Sequence, residues 1–294
     1  MSSHGGAVVT GAGRGLGKLI ARLLVERGHE VLVTDLDERA AQASAADLGP
    51  RATGMGVDVR DVEQLDAACK NIAARAGQLE VWVNNAGMLV TGPAWEQDEP
   101  TRRLMLEVNA LGTINGTVTA IEAMRKQLEQ GFQGGHIVNI ASLAGITAVP
   151  GEAVYAASKH AVVGFSLSTL TDLRLAGIKD IDISCVCPDG IWTPMLHDKL
   201  EDPSAALSFS GKLLQPDEVV AAVARVLDKP RPVTTVPRWR GAQARLADAI
   251  PEIGLTMAPL VVKQGKRAQQ RLLRTHGSPL GVDGGECGHT TQKT

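Results

Sequence analysis

Tyr155 and Lys159 stand four residues apart in the run Tyr-Ala-Ala-Ser-Lys, a spacing that on a helix puts both side chains on one face. An ammonium beside a phenol favours the phenolate and draws the phenol pKa toward the working range, as a general acid/base requires. Ser142 lies thirteen residues upstream at the end of an apolar run, where a strand-plus-helix pair would bring its hydroxyl beside the phenol to hold a substrate oxygen. The chain contains a single tyrosine, so any such proton transfer falls on Tyr155. The sequence predicts a native pKa for it below the ordinary value of ~10, because of Lys159. A Tyr-x3-Lys spacing alone is common on protein surfaces and takes its meaning from what surrounds it.

A second group is built for binding. The apolar run Ala7–Thr10 leads directly into Gly11-Ala-Gly-Arg-Gly-Leu-Gly17, after which Leu16, Leu19, Ile20, Leu23 and Leu24 recur at helical spacing. A glycine turn between a strand and a helix lets backbone approach a pyrophosphate, and the helix N-terminus supplies free N–H groups and a positive dipole end. The candidate contacts in this turn are Gly11, Arg14, Gly15, Leu16 and Gly17. Neither the strict G-x-G-x-x-G spacing nor the P-loop pattern is met. Asp35 ends the next β-rich run, eighteen residues past Gly17, where a carboxylate would accept bonds from both ribose hydroxyls and repel a 2′-phosphate. Asp37 is a nearby competitor for that role, and Arg14 pulls toward a 2′-phosphate. The carboxylate is expected to prevail and the cofactor to be NAD rather than NADP.

Positioning these groups requires a repeated strand–helix framework, and the pattern supplies one. Strands are expected at 7–10, 30–34, before Val57, at 79–83, 136–141, 181–186 and 232–236. Helices are expected at about 15–27, 36–48, 61–76, 98–130, 152–176 and 216–227, with an irregular stretch at 188–214. Strands alternating with helices imply right-handed crossovers and a parallel sheet covered on both faces. The expected fold is a Rossmann-like, doubly wound α/β domain over residues 1–237. A basic amphipathic helical extension at 238–276, its apolar residues interrupted by Pro251 and Pro259, and a flexible tail at 277–294 follow it.

As a set, these residues resemble the short-chain dehydrogenase/reductase family over about residues 6–237. Thr10-Gly11-x3-Gly15-x-Gly17 is similar to its cofactor turn, Asp58-Val59 to its adenine-contacting pair, and Asn84-Asn85-Ala86-Gly87 to its strand-four signature. Asn109, Ser142, Tyr155 and Lys159 fall at the spacings of its catalytic tetrad. The resemblance implies that Tyr155 exchanges a proton with the alcohol or carbonyl oxygen and that Ser142 hydrogen-bonds that oxygen. It further implies that Lys159 holds the nicotinamide ribose and that Asn109 anchors a water. The family's Pro-Gly-x3-Thr segment reads here as Pro188-Asp189-Gly-Ile-Trp-Thr193, with Asp in place of Gly. Pro188, Ile191 and Thr193 are still expected over the nicotinamide, and direct hydride transfer needs no metal. Family members associate through their long helices, so a homotetramer or homodimer is implied.

Composition removes other classes. Aromatic residues make up 3% of the 294 and the net charge is -2, which offers no stacking platform or basic balance for nucleic acid. No apolar run is long enough to span a membrane and no secretory signal opens the chain, so a cytoplasmic location is expected. Cys69, Cys185, Cys187 and Cys287 are scattered, as reduced thiols would be. Met88, Leu143, Val149, Trp192, Met195 and Leu196 flank the candidate chemistry and favour a hydrophobic alcohol or ketone. Residues 1–237 carry a net charge of -7 and residues 238–275 a net of +6. That extension reads as packing on its own subunit or a neighbour, as a lid over a greasy substrate, or as weak contact with an anionic membrane surface. Two rivals stand beside the main reading: an NADP-dependent 3-oxoacyl-type reductase, and a non-catalytic nucleotide-binding or membrane-peripheral protein.

Overall fold

The computed structural model describes residues 5–276 apart from Lys212. The tail expected at 277–294 lies outside the described residues. Seven parallel strands form one sheet in the order β3-β2-β1-β4-β5-β6-β7. They are β1 (Gly6–Val9), β2 (Glu30–Asp35), β3 (Ala52–Gly56), β4 (Leu79–Asn84), β5 (Gly135–Ile140), β6 (Ile181–Pro188) and β7 (Val233–Val236). Chain order reverses between β1 and β4, which opens a crevice at the carboxyl ends of those two strands.

Alternation along β1 shows how both faces are covered. Ala7 and Val9 pack on one face with α1 (Gly15–Glu26), α2 (Glu38–Leu48) and α8 (Pro216–Asp228). Val8 packs on the other with α3 (Val62–Ala76), α5 (Gly112–Glu129) and the end of α6 (Ala153–Leu175). The sheet and the second helical layer are also joined by buried polar bonds. Trp82 Nε1 donates to Asn84 Oδ1 at 2.7 Å, and Asn84 Nδ2 donates to Thr117 Oγ1 at 3.0 Å and Asn139 Oδ1 at 2.8 Å. Asn139 Nδ2 donates in turn to Ser166 Oγ at 2.9 Å. Each amide is satisfied, so the network fixes β4 and β5 against α5 and α6 without leaving a buried orphan.

One expectation needs correction. The helix expected over 98–130 is α4 (Glu99–Leu106), a π-helical turn at Glu107–Leu111, then α5. Hydrophobic periodicity does not register one inserted residue, and π-turns of this kind gather at functional sites. In the extension, Pro251 opens a helix and Pro259 lies inside it: α9 (Arg238–Ala249) is followed by α10 (Pro251–His276). The irregular stretch between β6 and α8 holds the short α7 (Pro194–His197) and a 3-10 turn at Pro203–Phe209. Gly265 of α10 sits so close to this turn that a Cβ there would lie 1.9 Å from the Ala206 carbonyl oxygen.

Candidate active site

The glycine turn is shaped by approach distances. Gly11 has φ +60°, and a Cβ on it would fall 2.6 Å from Ala86 Cα. At Gly17 a Cβ would meet the Gly11 carbonyl oxygen at 2.4 Å, whereas at Gly15, also φ +60°, it would meet nothing within 4 Å. The turn is therefore packed on its inner side and open above Gly15, a backbone cradle at the start of α1 that suits a phosphate. Thr10 Oγ1 accepts from the Asn85 and Ala86 amides at 3.0 and 3.1 Å, and Asn85 Nδ2 donates to the Thr10 and Gly11 carbonyls. Asn85 thus ties β4 to the turn.

Asp35 ends β2 with its carboxylate beside this cradle. Its Oδ2 accepts from Gly13 N at 3.0 Å and its Oδ1 from Asp37 N at 3.2 Å. Asp37 is occupied elsewhere, capping α2 through the Arg39 and Ala40 amides. Arg14 is exposed on the rim of the same cavity. Asp58 and Val59 line it past β3, and the Arg60 guanidinium, 2.6 Å from Asp58, holds that carboxyl below its ordinary pKa.

The four residues expected to handle a proton come from three elements. Ser142 follows β5 and its Oγ accepts from Ala144 N at 3.1 Å. Tyr155 and Lys159 share one face of α6, with the Lys159 Nζ 5.7 Å from the phenol ring centroid. Lys159 Nζ donates to the Ile140 carbonyl at 3.0 Å. Asn109 sits in the π-turn, fully buried behind the cavity wall rather than lining it. Its amide brackets Met88, accepting from the Met88 N–H at 2.8 Å and donating to the Met88 carbonyl at 2.9 Å. Gly87 lies between the two groups: a Cβ there would be 3.2 Å from Asn109 Oδ1 and 3.7 Å from Lys159 Nζ. Pro188, Ile191 and Thr193 line the wall after β6.

The electrostatics differ from the sequence expectation. Burial raises the Tyr155 phenol above its ordinary value, the charge of Glu152 adds to the rise, and the hydrogen bond with Ser142 opposes it. Burial also depresses Lys159 to about 8. By the pH at which a phenol ordinarily ionises, Lys159 is already neutral and offers the phenolate no charge, so burial prevails. Glu152 is itself an acid the sequence reading missed. Only 2% exposed, it accepts from Ser208 Oγ at 2.5 Å, and burial pushes its carboxyl up to about 7. Its position three residues before Tyr155 was the available signal.

The glycine turn, Asp35, Ser142, Glu152, Tyr155 and Lys159 line one cavity of about 1160 Å³. The end of the cavity beside Ser142 and Tyr155 is apolar, with Met88, Leu143, Val149, Met195 and Leu196 in its lining. Trp192 is not in the lining; it packs with Leu196, Leu200 and Phe209 in a separate cluster under α10. The far wall comes from the extension, including Leu246, Ile250, Leu255 and Met257. Asp189, the departure from the expected Gly, explains how that wall is fastened. Its Oδ2 accepts from Arg240 Nε of α9 at 2.8 Å, while Oδ1 accepts from Gly190 N at 3.0 Å.

Residues 6–204 match the protein-family model described as short chain dehydrogenase. The chain is 35% identical over 201 residues to the sex determination protein tasselseed-2 of Zea mays, covering 65% of this chain and 56% of that protein. It is 33% identical over 221 residues to 3-oxoacyl-acyl-carrier-protein reductase FabG of Vibrio cholerae, covering 74% and 87% of the two chains. It is 32% identical over 216 residues to estradiol 17-beta-dehydrogenase 11 of Mus musculus, covering 72% and 68%. Among solved structures, a protein of Burkholderia phymatum determined in complex with NAD superposes with a TM-score of 0.75 at 27% identity. That match covers 86% of this chain and 95% of the other.

Proposed function

The chain belongs to the short-chain dehydrogenase/reductase family, and from that premise we propose that it is an NAD-dependent oxidoreductase interconverting a secondary alcohol and a ketone on a hydrophobic substrate. One observation carries the reading: Ser142, Tyr155 and Lys159 face the same apolar cavity as an open glycine cradle and a tethered carboxylate, Asp35. The residues present fit a nicotinamide dinucleotide, with the Gly11–Gly17 turn for the phosphates and Asp35 for the adenosine ribose. Asp58, Val59, Ala86 and Gly87 stand along the same path, and Pro188, Ile191 and Thr193 at its nicotinamide end. When bound, the cofactor supplies or takes up the hydride.

The chain's own groups handle the proton. In reduction the Tyr155 hydroxyl donates to the carbonyl oxygen while Ser142 Oγ–H donates a hydrogen bond to the same oxygen; in oxidation Tyr155 accepts the alcohol proton. Lys159 is held by Ile140 beside the phenol, and Asn109 fixes the Met88 backbone next to it. The apolar walls exclude water from the reacting oxygen.

The test is a panel of hydrophobic ketones and alcohols assayed with NADH/NAD and NADPH/NADP. Turnover of hydrophobic substrates, faster with the non-phosphorylated cofactor and lost in Tyr155→Phe, is expected. Activity confined to small charged hydroxy acids would sink the substrate assignment. An NADP-dependent 3-oxoacyl-type reductase is the second reading, favoured by the exposed Arg14 at the cradle. Cofactor binding without turnover on any substrate is what an idle site predicts. A homodimer or homotetramer in the cytoplasm completes the proposal, supported by Leu106, Leu111, Val118 and Leu167 standing exposed along α4–α6.

A further inference from the structure

The mouth of the cavity is greasy where it meets solvent. Leu246, Ile250, Leu255 and Met257 line the cavity and also count among the exposed apolar side chains, Leu255 at 74% and Leu246 at 67%. Trp239 and Leu260, exposed as well, extend the patch on either side. Trp239, Leu246 and Ile250 follow one another at seven and four residues, a single stripe along α9 and its end. Exposed Arg238 and Arg245 run immediately beside that stripe.

Along α10 the two faces differ sharply. Gly265 and Gln269 are buried against the Pro203–Phe209 turn, with Gln269 Nε2 donating to the Asp202 carbonyl at 2.8 Å. The opposite face, at helical spacing, carries Met257 and Leu260 and then Lys263, Arg267, Arg271 and Arg274, all exposed. Residues 254–276 contain no acid, and Asp248 and Glu252 are the two acids of the extension. Among the described residues, no helix is long and apolar enough to cross a membrane.

We propose that this face docks on an anionic bilayer, the apolar side chains at the mouth entering the headgroup–acyl boundary and the cations meeting lipid phosphates. An amphipathic helix with a cationic polar face lies in such an interface by both terms at once. A second copy fits less well, because an isologous pairing would set the cations of the extension against one another, with Asp248 and Glu252 as its two acids against eight cations. The docked mouth opens onto the acyl phase, so a hydrophobic alcohol or ketone reaches Tyr155 without crossing water. That last consequence rests on the proposed reaction; the docking does not.

The experiment is flotation of the full chain with vesicles of phosphatidylcholine alone and of phosphatidylcholine with phosphatidylglycerol. Binding to the anionic vesicles is expected, weakened by salt and reduced at least tenfold in Lys263→Glu/Arg267→Glu/Arg271→Glu/Arg274→Glu and in Leu255→Ser/Leu260→Ser. Melting curves matching the parent chain show that both variants are folded. The proposal is overturned by absence of binding to either vesicle, or by undiminished binding of both folded variants. Self-association in sedimentation that Leu255→Ser/Leu260→Ser abolishes also overturns it, since it assigns the face to a second copy. The assay reads no turnover, so its failure leaves the alcohol–ketone reading standing, and a vesicle-bound but inactive chain sinks that reading alone.

Discussion

Burial raises the Tyr155 phenol and the Ser142 hydrogen bond lowers it, with burial the larger effect. Tyr155 is therefore protonated at neutral pH, which in the proposed reaction suits it to donate during ketone reduction and leaves little phenolate for alcohol oxidation. Because the chain has one tyrosine, an alkaline titration of the cofactor-free protein reads this group alone. Tyrosinate absorbance is expected to appear above the ordinary midpoint of ~10; a midpoint below it contradicts the burial argument. In the proposed reaction, oxidation should climb with pH through the alkaline range while reduction stays flat near neutrality. Glu152 tunes this behaviour. Its native carboxyl keeps its proton to about 7 while the unfolded chain loses it near 4.5. Between those values the folded state binds more protons, so this group's contribution to stability falls as pH rises. Glu152→Gln removes that fall and is expected to gain up to about 3 kcal/mol at pH 8 in denaturant titrations, with the oxidation profile moved to lower pH. Asp35→Ala should narrow the proposed preference for NAD over NADP in paired cofactor titrations, because the carboxylate proposed to repel a 2′-phosphate is gone.

At the scale of elements, the joint between α10 and the Pro203–Phe209 turn depends on a missing side chain. With the Gly265 Cβ position 1.9 Å from the Ala206 carbonyl oxygen, Gly265→Val must lift α10 from its seat. A loss of about 1–3 kcal/mol is expected in thermal unfolding, with affinity for NAD unchanged because Gly265 is not among the residues that line the cavity. The sheet was legible for a plain reason: buried parallel strands read as apolar runs such as residues 30–34 and 136–141. The glycine turn, Asp35 and the Tyr155–Lys159 pair were legible because their chemistry depends on spacing within one strand–helix unit. The π-turn that carries Asn109 was not, since a helical pattern tolerates one extra residue. The cavity wall made by Leu246, Ile250 and Leu255 was legible only as one of three readings of the extension, the lid, because which side of a helix meets the cavity is set by distant packing. The Asp189–Arg240 pair joins positions 51 residues apart, and nothing local to either announces the other.

Over the whole molecule, the sheet and its two helical layers position Ser142, Tyr155 and Lys159, while the cavity they face is completed by residues beyond Pro237. A chain ending there would uncover Leu196, Leu200 and Phe209, against which Ala268, Leu272 and Leu273 now pack. Such a chain is expected to retain cofactor affinity while losing discrimination in favour of hydrophobic substrates, measured as the ratio of kcat/KM values across a panel of graded chain length. The buried amide network ties the same layers together. Asn139→Leu strands partners on β4, α5 and α6 and should cost about 1–3 kcal/mol per orphaned group in equilibrium unfolding. The charge segregation has a practical sequel. A net of -2 and a pI near 6.4 describe a protein that looks indifferent to charged surfaces, yet its two unequal parts carry -7 and +6. At neutral pH and low ionic strength the same preparation should be retained by both an anion-exchange and a cation-exchange resin, each gripping the opposite end of one polypeptide.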